Sequence, residues 1–145
     1  NKSLIILPLK SKGVHVEKKI EKLGMWSSDT ALFHFDDVIV PVKNVICERG
    51  KGFKYQMIQF QEERIWAVAN TISSFEKVIK MTAEYCSQRQ AFGRSLLSNQ
   101  VIQFSLAEMQ VEVEALRSLI YRATKAFIRG EDVTRLATMA KYKAG

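Results

Sequence analysis

From Phe53 to Gln88 the apolar residues fall at positions 57, 58, 65, 68, 69, 72, 75, 79, 85 and 86, with Thr82 taking one further step. Spacings of mostly three or four predict one long amphipathic helix. Glu62, Glu63 and Arg64 interrupt its apolar face. Downstream, Ile102, Leu106, Met109, Val113, Leu116, Ile120, Ala123 and Phe127 alternate steps of four and three without a miss. That is a coiled-coil-like seam on a second helix, with Ser98 a plausible N-cap. Gly130 is a good stop, Asp132 a good N-cap, and a third helix is expected to start near Val133.

The first 50 residues carry a different period. Residues 4–9, L-I-I-L-P-L, read as a buried strand demoted near Pro8 to an edge or a bulge, and Val14–Val16 as a short strand after a turn at Gly13. In Ala31–Phe35 the order A-L-F-H-F puts Ala31, Phe33 and Phe35 on one face and Leu32 and His34 on the other, a period of two. Asp36 and Asp37 make a turn, and Val38–Val40 resume extended structure until Pro41. The expected class is α+β: a partial antiparallel β-domain over residues 1–50, then an up-down helical bundle over 51–145 made of two long helices and part of a third. Strands this few and short cannot cover their own faces and edges, and the chain starts without Met. The expectation is a piece of a longer protein, one bundle helix short.

Composition narrows the partners. With 145 residues, 47% of them hydrophobic, the chain can bury a core. Its net charge of +7 suits an anionic partner: nucleic acid, anionic lipid, or a phosphate-rich cofactor such as coenzyme A. Lys and Arg alternate with Glu, and the sequence shows no arginine-rich arm. Cys47 and Cys86 lie far apart, with only His15 and His34 to help them, which is not metal-ligand spacing; no metal is expected, and both thiols read as reduced and structural. No apolar run approaches the roughly 20 residues of a membrane span, and the block at 4–9 is too short for a secretory signal.

Two places carry candidate chemistry. The turn between the long helices holds Arg89, Phe92 and Gln100: a guanidinium fork, an aromatic face and an amide that suit a diphosphate with a planar ring attached. The plain alternative is a helical hairpin with a solvated Arg and a core Phe. In Q-F-Q-E-E-R-I-W the carboxylates of Glu62 and Glu63 are rotated by about 100° from one another, so one is expected in solvent and the other buried. A buried carboxylate holds its proton to higher pH, which suits a general base; the alternative is a surface ion-pair run. Gly50 and Gly52 lack the strand and helix context of a phosphate loop, and helix entry is the better role for them.

Read together, Q-R-Q-A-F-G-R-S-L-L-S-N-Q and L-A-E-M at 88–109, with K-L-G-M-W-S-S-D-T-A and F-D-D-V-I-V-P between Lys22 and Pro41, resemble the acyl-CoA dehydrogenase family. The match covers the end of that family's middle β-domain and the start of its C-terminal helical domain. The resemblance implies FAD as cofactor, with Arg89, Phe92, Leu96 and Gln100 touching a flavin dinucleotide bound mainly by a neighbouring subunit. It implies an acyl-CoA substrate, electron-transferring flavoprotein as acceptor, a homotetramer, and an intracellular location, the mitochondrial matrix or the bacterial cytoplasm. In the long-chain and isovaleryl types the base is a Glu just before an Arg on this first helix. That implies Glu63 as the catalytic base, with Phe60, Gln61 and Arg64 near the thioester and the coenzyme A chain. S-D-T-A also resembles the long-chain type. Two other readings are a non-enzymatic oligomerisation module built on the seam and a basic, nucleic-acid-binding member of the same superfamily.

Overall fold

The computed structural model describes residues 2–145, and the chain forms two compact units, Asn1–Gln56 and Met57–Gly145. In the first unit β1 (Leu4–Ile5) pairs antiparallel with β4 (Val45–Ile46), and β2 (Val14–Lys19) with β3 (Ala31–Phe35). The register of the second ladder shifts between Val16 and Lys18, so Glu17 is the extra residue of a bulge. Phe33 and Phe35 share a face as the period of two predicts, their rings stacked with centroids 6.3 Å apart.

The expected strand over 4–9 is confined to Leu4–Ile5, and Ile5, Ile6 and Leu9 are exposed, not buried. Pro8 has no N–H to give a ladder, and its carbonyl accepts the Ser11 N–H at 3.0 Å in a turn instead. Val38–Val40 form no ladder either; Asp37 turns the chain with φ 43°, and pairing resumes only at β4. Cys86 is buried as expected of a structural thiol, whereas Cys47 is exposed.

Helix α1 (Gly52–Gln88) begins in the first unit and runs on through the second, followed by α2 (Gln100–Ile128) and α3 (Thr134–Ala144). Gly52 is the helix entry that the sequence suggested. Its N–H donates to the Lys2 carbonyl at 2.8 Å, and an added Cβ would stand 2.6 Å from the Ser3 carbonyl carbon. In the second unit Val68 and Ile72 of α1, Val113, Leu116, Ile120 and Ala123 of α2, and Ala140 of α3 make one buried cluster. The middle of the predicted seam is therefore core; towards its ends Met109 and Phe127 are exposed. Ion pairs Glu76–Arg117 and Glu112–Lys143 tie α1 to α2 and α2 to α3.

The N-cap of α2 is Asn99 and not Ser98. Ser98 ends a short 3-10 turn, Leu96–Ser98, and its hydroxyl donates back to the Ser95 carbonyl at 2.7 Å. The carbonyl of Asn99 accepts the first helical N–H groups, those of Ile102 and Gln103. At the other end the Glu131 N–H donates to Ala126 and the Gly130 N–H to Phe127, with Gly130 at φ +74°: a Schellman motif. Asp132 then accepts from both the hydroxyl (2.6 Å) and the N–H (2.9 Å) of Thr134, which starts α3 one residue later than expected.

Two stability predictions follow. Nothing lies within 4 Å of a Cβ on Gly130, so Gly130→Ala should cost only the left-handed backbone term, about 1 kcal/mol by chemical denaturation. Hydrogen bonds from the Thr134 hydroxyl, then its N–H, hold the Asp132 carboxyl below its ordinary range. With the folded-state value depressed, its contribution is complete above the unfolded-state pKa and disappears as pH falls through the folded one. Asp132→Asn should flatten that acid limb in a pH series of denaturation midpoints; Glu131, lowered by its bond from Arg129, keeps the remainder.

Candidate functional site

On α1 the residues Phe60, Glu63, Arg64 and Ala67 recur at three and four, so they share one side of the helix. With Trp66 and with Lys141 from α3 they line an open groove of about 600 Å³. The Arg64 guanidinium lies 5.8 Å from the centroid of the Phe60 ring, a cation–π contact that sets the charge on an aromatic wall. Gln59 Nε2 donates to Glu63 Oε1 at 3.0 Å and orients the carboxylate. Glu62 lies outside the groove.

Burial, however, does not divide the two carboxylates: both Glu62 and Glu63 are exposed. The buried stripe of α1 at this level runs through Ile65 and Val68, and neither Glu falls on it. Gln61, expected with Phe60 and Arg64, faces elsewhere and donates to Thr134 Oγ1 at 2.6 Å. A larger groove of about 730 Å³ between α1 and α2, walled by Phe75, Val78, Ile79, Met109 and Val113, contains none of the candidate residues.

The turn after α1 is a hairpin that the sequence reading missed. Strand β5 (Gln90–Ala91) pairs with β6 (Arg94–Ser95) across two residues, Phe92 at φ 54° and Gly93 at φ 79°. Positive φ at both central positions is the type I′ geometry that suits two-residue hairpins, usually filled by Asn-Gly. Phe-Gly in that place hides the signal. Phe92 is 104% exposed, so the alternative of a core Phe is wrong. Arg89 and Gln100 are exposed and Leu96 is half-buried. Among the described residues the Arg89 guanidinium has no ion-pair partner, while its carbonyl accepts the Leu96 N–H at 2.9 Å and closes the hairpin. Arg94 Nη2 donates to the Asn99 side chain at 3.0 Å and braces the turn against α2.

Residues 50–145 match the family model described as acyl-CoA dehydrogenase, C-terminal domain. The chain belongs to the acyl-CoA dehydrogenase family. It is 38% identical over 127 residues to the short-chain specific acyl-CoA dehydrogenase of Megasphaera elsdenii, covering 88% of this chain and 33% of that protein. To the mitochondrial long-chain specific enzyme of Rattus norvegicus it is 32% identical, over 98% of this chain and 33% of the relative. The solved butyryl-CoA dehydrogenase of M. elsdenii superposes with a TM-score of 0.88 at 36% identity, over 98% of this chain and 37% of that one. A chain in a structure of the electron transferring flavoprotein of Acidaminococcus fermentans gives 0.87 at 33%, with the same coverage. The chain thus spans about a third of the length of these acyl-CoA dehydrogenases. Lys141, Thr134 and Arg94 are the residues that sequence reasoning missed around the two places. Only tertiary packing brings α3 beside α1, and no local spacing announces it.

An aromatic residue held at φ 54° in full solvent stabilises nothing visible in this chain. Phe92→Asn should therefore raise the stability of the 145-residue chain, by up to about 1 kcal/mol, since Asn tolerates the left-handed region. Thermal or denaturant unfolding checks it; a loss of stability would mean that the ring packs on the chain.

Proposed function

We propose that this chain is part of an FAD-dependent acyl-CoA dehydrogenase of long-chain or isovaleryl type, in which residues 1–50 close the middle β-domain and residues 51–145 open the helical domain. The observation that carries it is the hairpin: an exposed aromatic at positive φ next to a guanidinium that has no ion-pair partner among the described residues, on a turn braced from both sides. Those groups fit a dinucleotide. Arg89 can fork onto a diphosphate, the Phe92 ring can lie against a planar heterocycle, Leu96 supplies an apolar edge, and the Gln100 amide can hydrogen-bond a ring or ribose.

Bound FAD supplies the hydride acceptor for the substrate β-carbon. The rest belongs to this chain. The Glu63 carboxylate, oriented by Gln59, takes the α-proton of the acyl thioester, so that the substrate loses a proton and a hydride and gains a trans double bond between its α- and β-carbons. Phe60 walls the groove, and Arg64, held over the ring, offers its positive charge to the anionic coenzyme A portion. Among the relatives, short-chain and long-chain enzymes stand at 38% and 32% identity, so overall likeness does not select the type. The position of Glu63 directly before Arg64 supports the long-chain or isovaleryl type. Exposed Val78, Phe104 and Met109 support a homo-oligomer, and the family supports electron-transferring flavoprotein as the acceptor and an intracellular compartment.

In the intact flavoprotein Glu63→Gln should retain FAD and acyl-CoA and lose turnover by about 10²-fold to 10⁴-fold, and Glu62→Gln should change little. Steady-state kinetics and flavin absorbance read both; an active Glu63→Gln enzyme sinks the assignment of the base. Arg89→Lys keeps the charge without the fork and should weaken flavin retention while leaving the helices folded by circular dichroism.

A further inference from the structure

Gln61 precedes Val68 by seven residues, a rotation of only about 20° on an α-helix, so it continues the buried stripe of α1 as a polar side chain. Ile65 is the most N-terminal α1 residue packed on the core, and beyond it Gln61 reaches α3. Its Nε2 donates to Thr134 Oγ1 at 2.6 Å, and that hydroxyl donates its own proton to Asp132 Oδ1 at 2.6 Å. The direction of each bond is fixed. An amide nitrogen can only donate and an ionised carboxylate can only accept, so the hydroxyl between them is oriented and both bonds reinforce each other.

We propose that Gln61, Thr134 and Asp132 form a positioning relay that pins the α1 turn carrying Glu63 and Arg64 to the start of α3. Gln61 is then a positioning residue and not a substrate contact. The inference rests on the reading of Glu63 as base. Without the relay the core holds α1 from Ile65 onwards, and the turn before it loses its side-chain tie to α3 and can shift against that helix, which moves a carboxylate that must meet a single C–H bond. Misplacement of that order costs a reacting group much more than it costs the fold.

The test uses the intact flavoprotein with Thr134→Val, Thr134→Ser, Gln61→Leu and the Thr134→Val/Gln61→Leu double variant, beside Glu63→Gln. Thr134→Val keeps shape and loses both hydroxyl bonds; Thr134→Ser keeps both. The expected result is a fall in kcat of about 10-fold to 100-fold in Thr134→Val, with KM for acyl-CoA within about twofold and a larger α-deuterium isotope effect. Thr134→Ser restores kcat, and the double variant is no worse than either single one. Amide hydrogen exchange over residues 58–64 should accelerate in Thr134→Val, a readout independent of turnover. A raised KM in Gln61→Leu alone would overturn the relay in favour of direct substrate contact. So would normal kcat in a Thr134→Val enzyme whose Glu63→Gln counterpart is dead. Full turnover in Glu63→Gln would instead overturn the base reading, while unchanged exchange over 58–64 in Thr134→Val would overturn the relay whatever the base is.

Discussion

The seam of α2 must be buried, and the second unit follows from that. Val113, Leu116, Ile120 and Ala123 leave water only by meeting Val68 and Ile72 from α1 and Ala140 from α3. Once Val68 points inward, helical geometry sets the direction of every other side chain on α1. Gln61 joins the inner stripe, Phe60, Arg64 and Ala67 turn about 40° to 100° away from it, and Glu63 lies further round on the same side. The groove is thus a by-product of core phase. Small residues at Ala123, Ala126, Ala137 and Ala140 leave room for α3 to lie close to α2, and so bring Lys141 and Thr134 to the side of α1.

The hairpin obeys a different constraint. Its two strands are two residues each, too short to be stable alone, and it is held by bonds from its flanks: Leu96 to the Arg89 carbonyl and Arg94 to Asn99. A frame fixed at both ends can impose φ 54° on a phenylalanine, which a free loop would relax. The cost is of the order of 1 kcal/mol, and the return is a ring whose position is set by backbone geometry rather than by packing.

Periodicity made the helices legible, because α1 and α2 each bury one continuous stripe and a one-residue slip, about 100° of rotation, would put charge into the core. The strands were harder. Leu4–Leu9 is as apolar as a core strand, yet only Leu4–Ile5 pairs, since apolar composition reports what a neighbour would cover and not whether this chain supplies it. Of the four residues that the family resemblance groups at the site, Phe60, Glu63 and Arg64 share one groove. Gln61 adjoins them in sequence but lies on a different face of the helix and bonds to Thr134. The burial expected for one of the paired carboxylates also failed: Ile65, an apolar neighbour in sequence, sits about 160° round the helix from Glu63 and about 60° from Glu62, and the buried stripe reaches neither. Phe92 was recognised through the motif without its conformation, because Phe-Gly is a rare filling for a turn that usually advertises itself as Asn-Gly.

Glu63 and Arg89 stand on and just past one unbroken helix, and 89 − 63 = 26 residues at 1.5 Å each separate them by about 39 Å along its axis. A base must reach the proton on the α-carbon of the bond that is oxidised, and the redox ring must face that bond from the other side. A turn about 39 Å away cannot hold the ring that reacts over Glu63. Under the proposed function it holds part of a cofactor whose reacting ring serves another copy of the chain. The stiffness of α1 then acquires a purpose beyond the fold: it fixes the spacing between a catalytic groove and a cofactor edge that work in different places. A kink between Val68 and Tyr85 would leave both local geometries intact and still misalign them, so the long uninterrupted helix is itself part of the proposed catalytic arrangement.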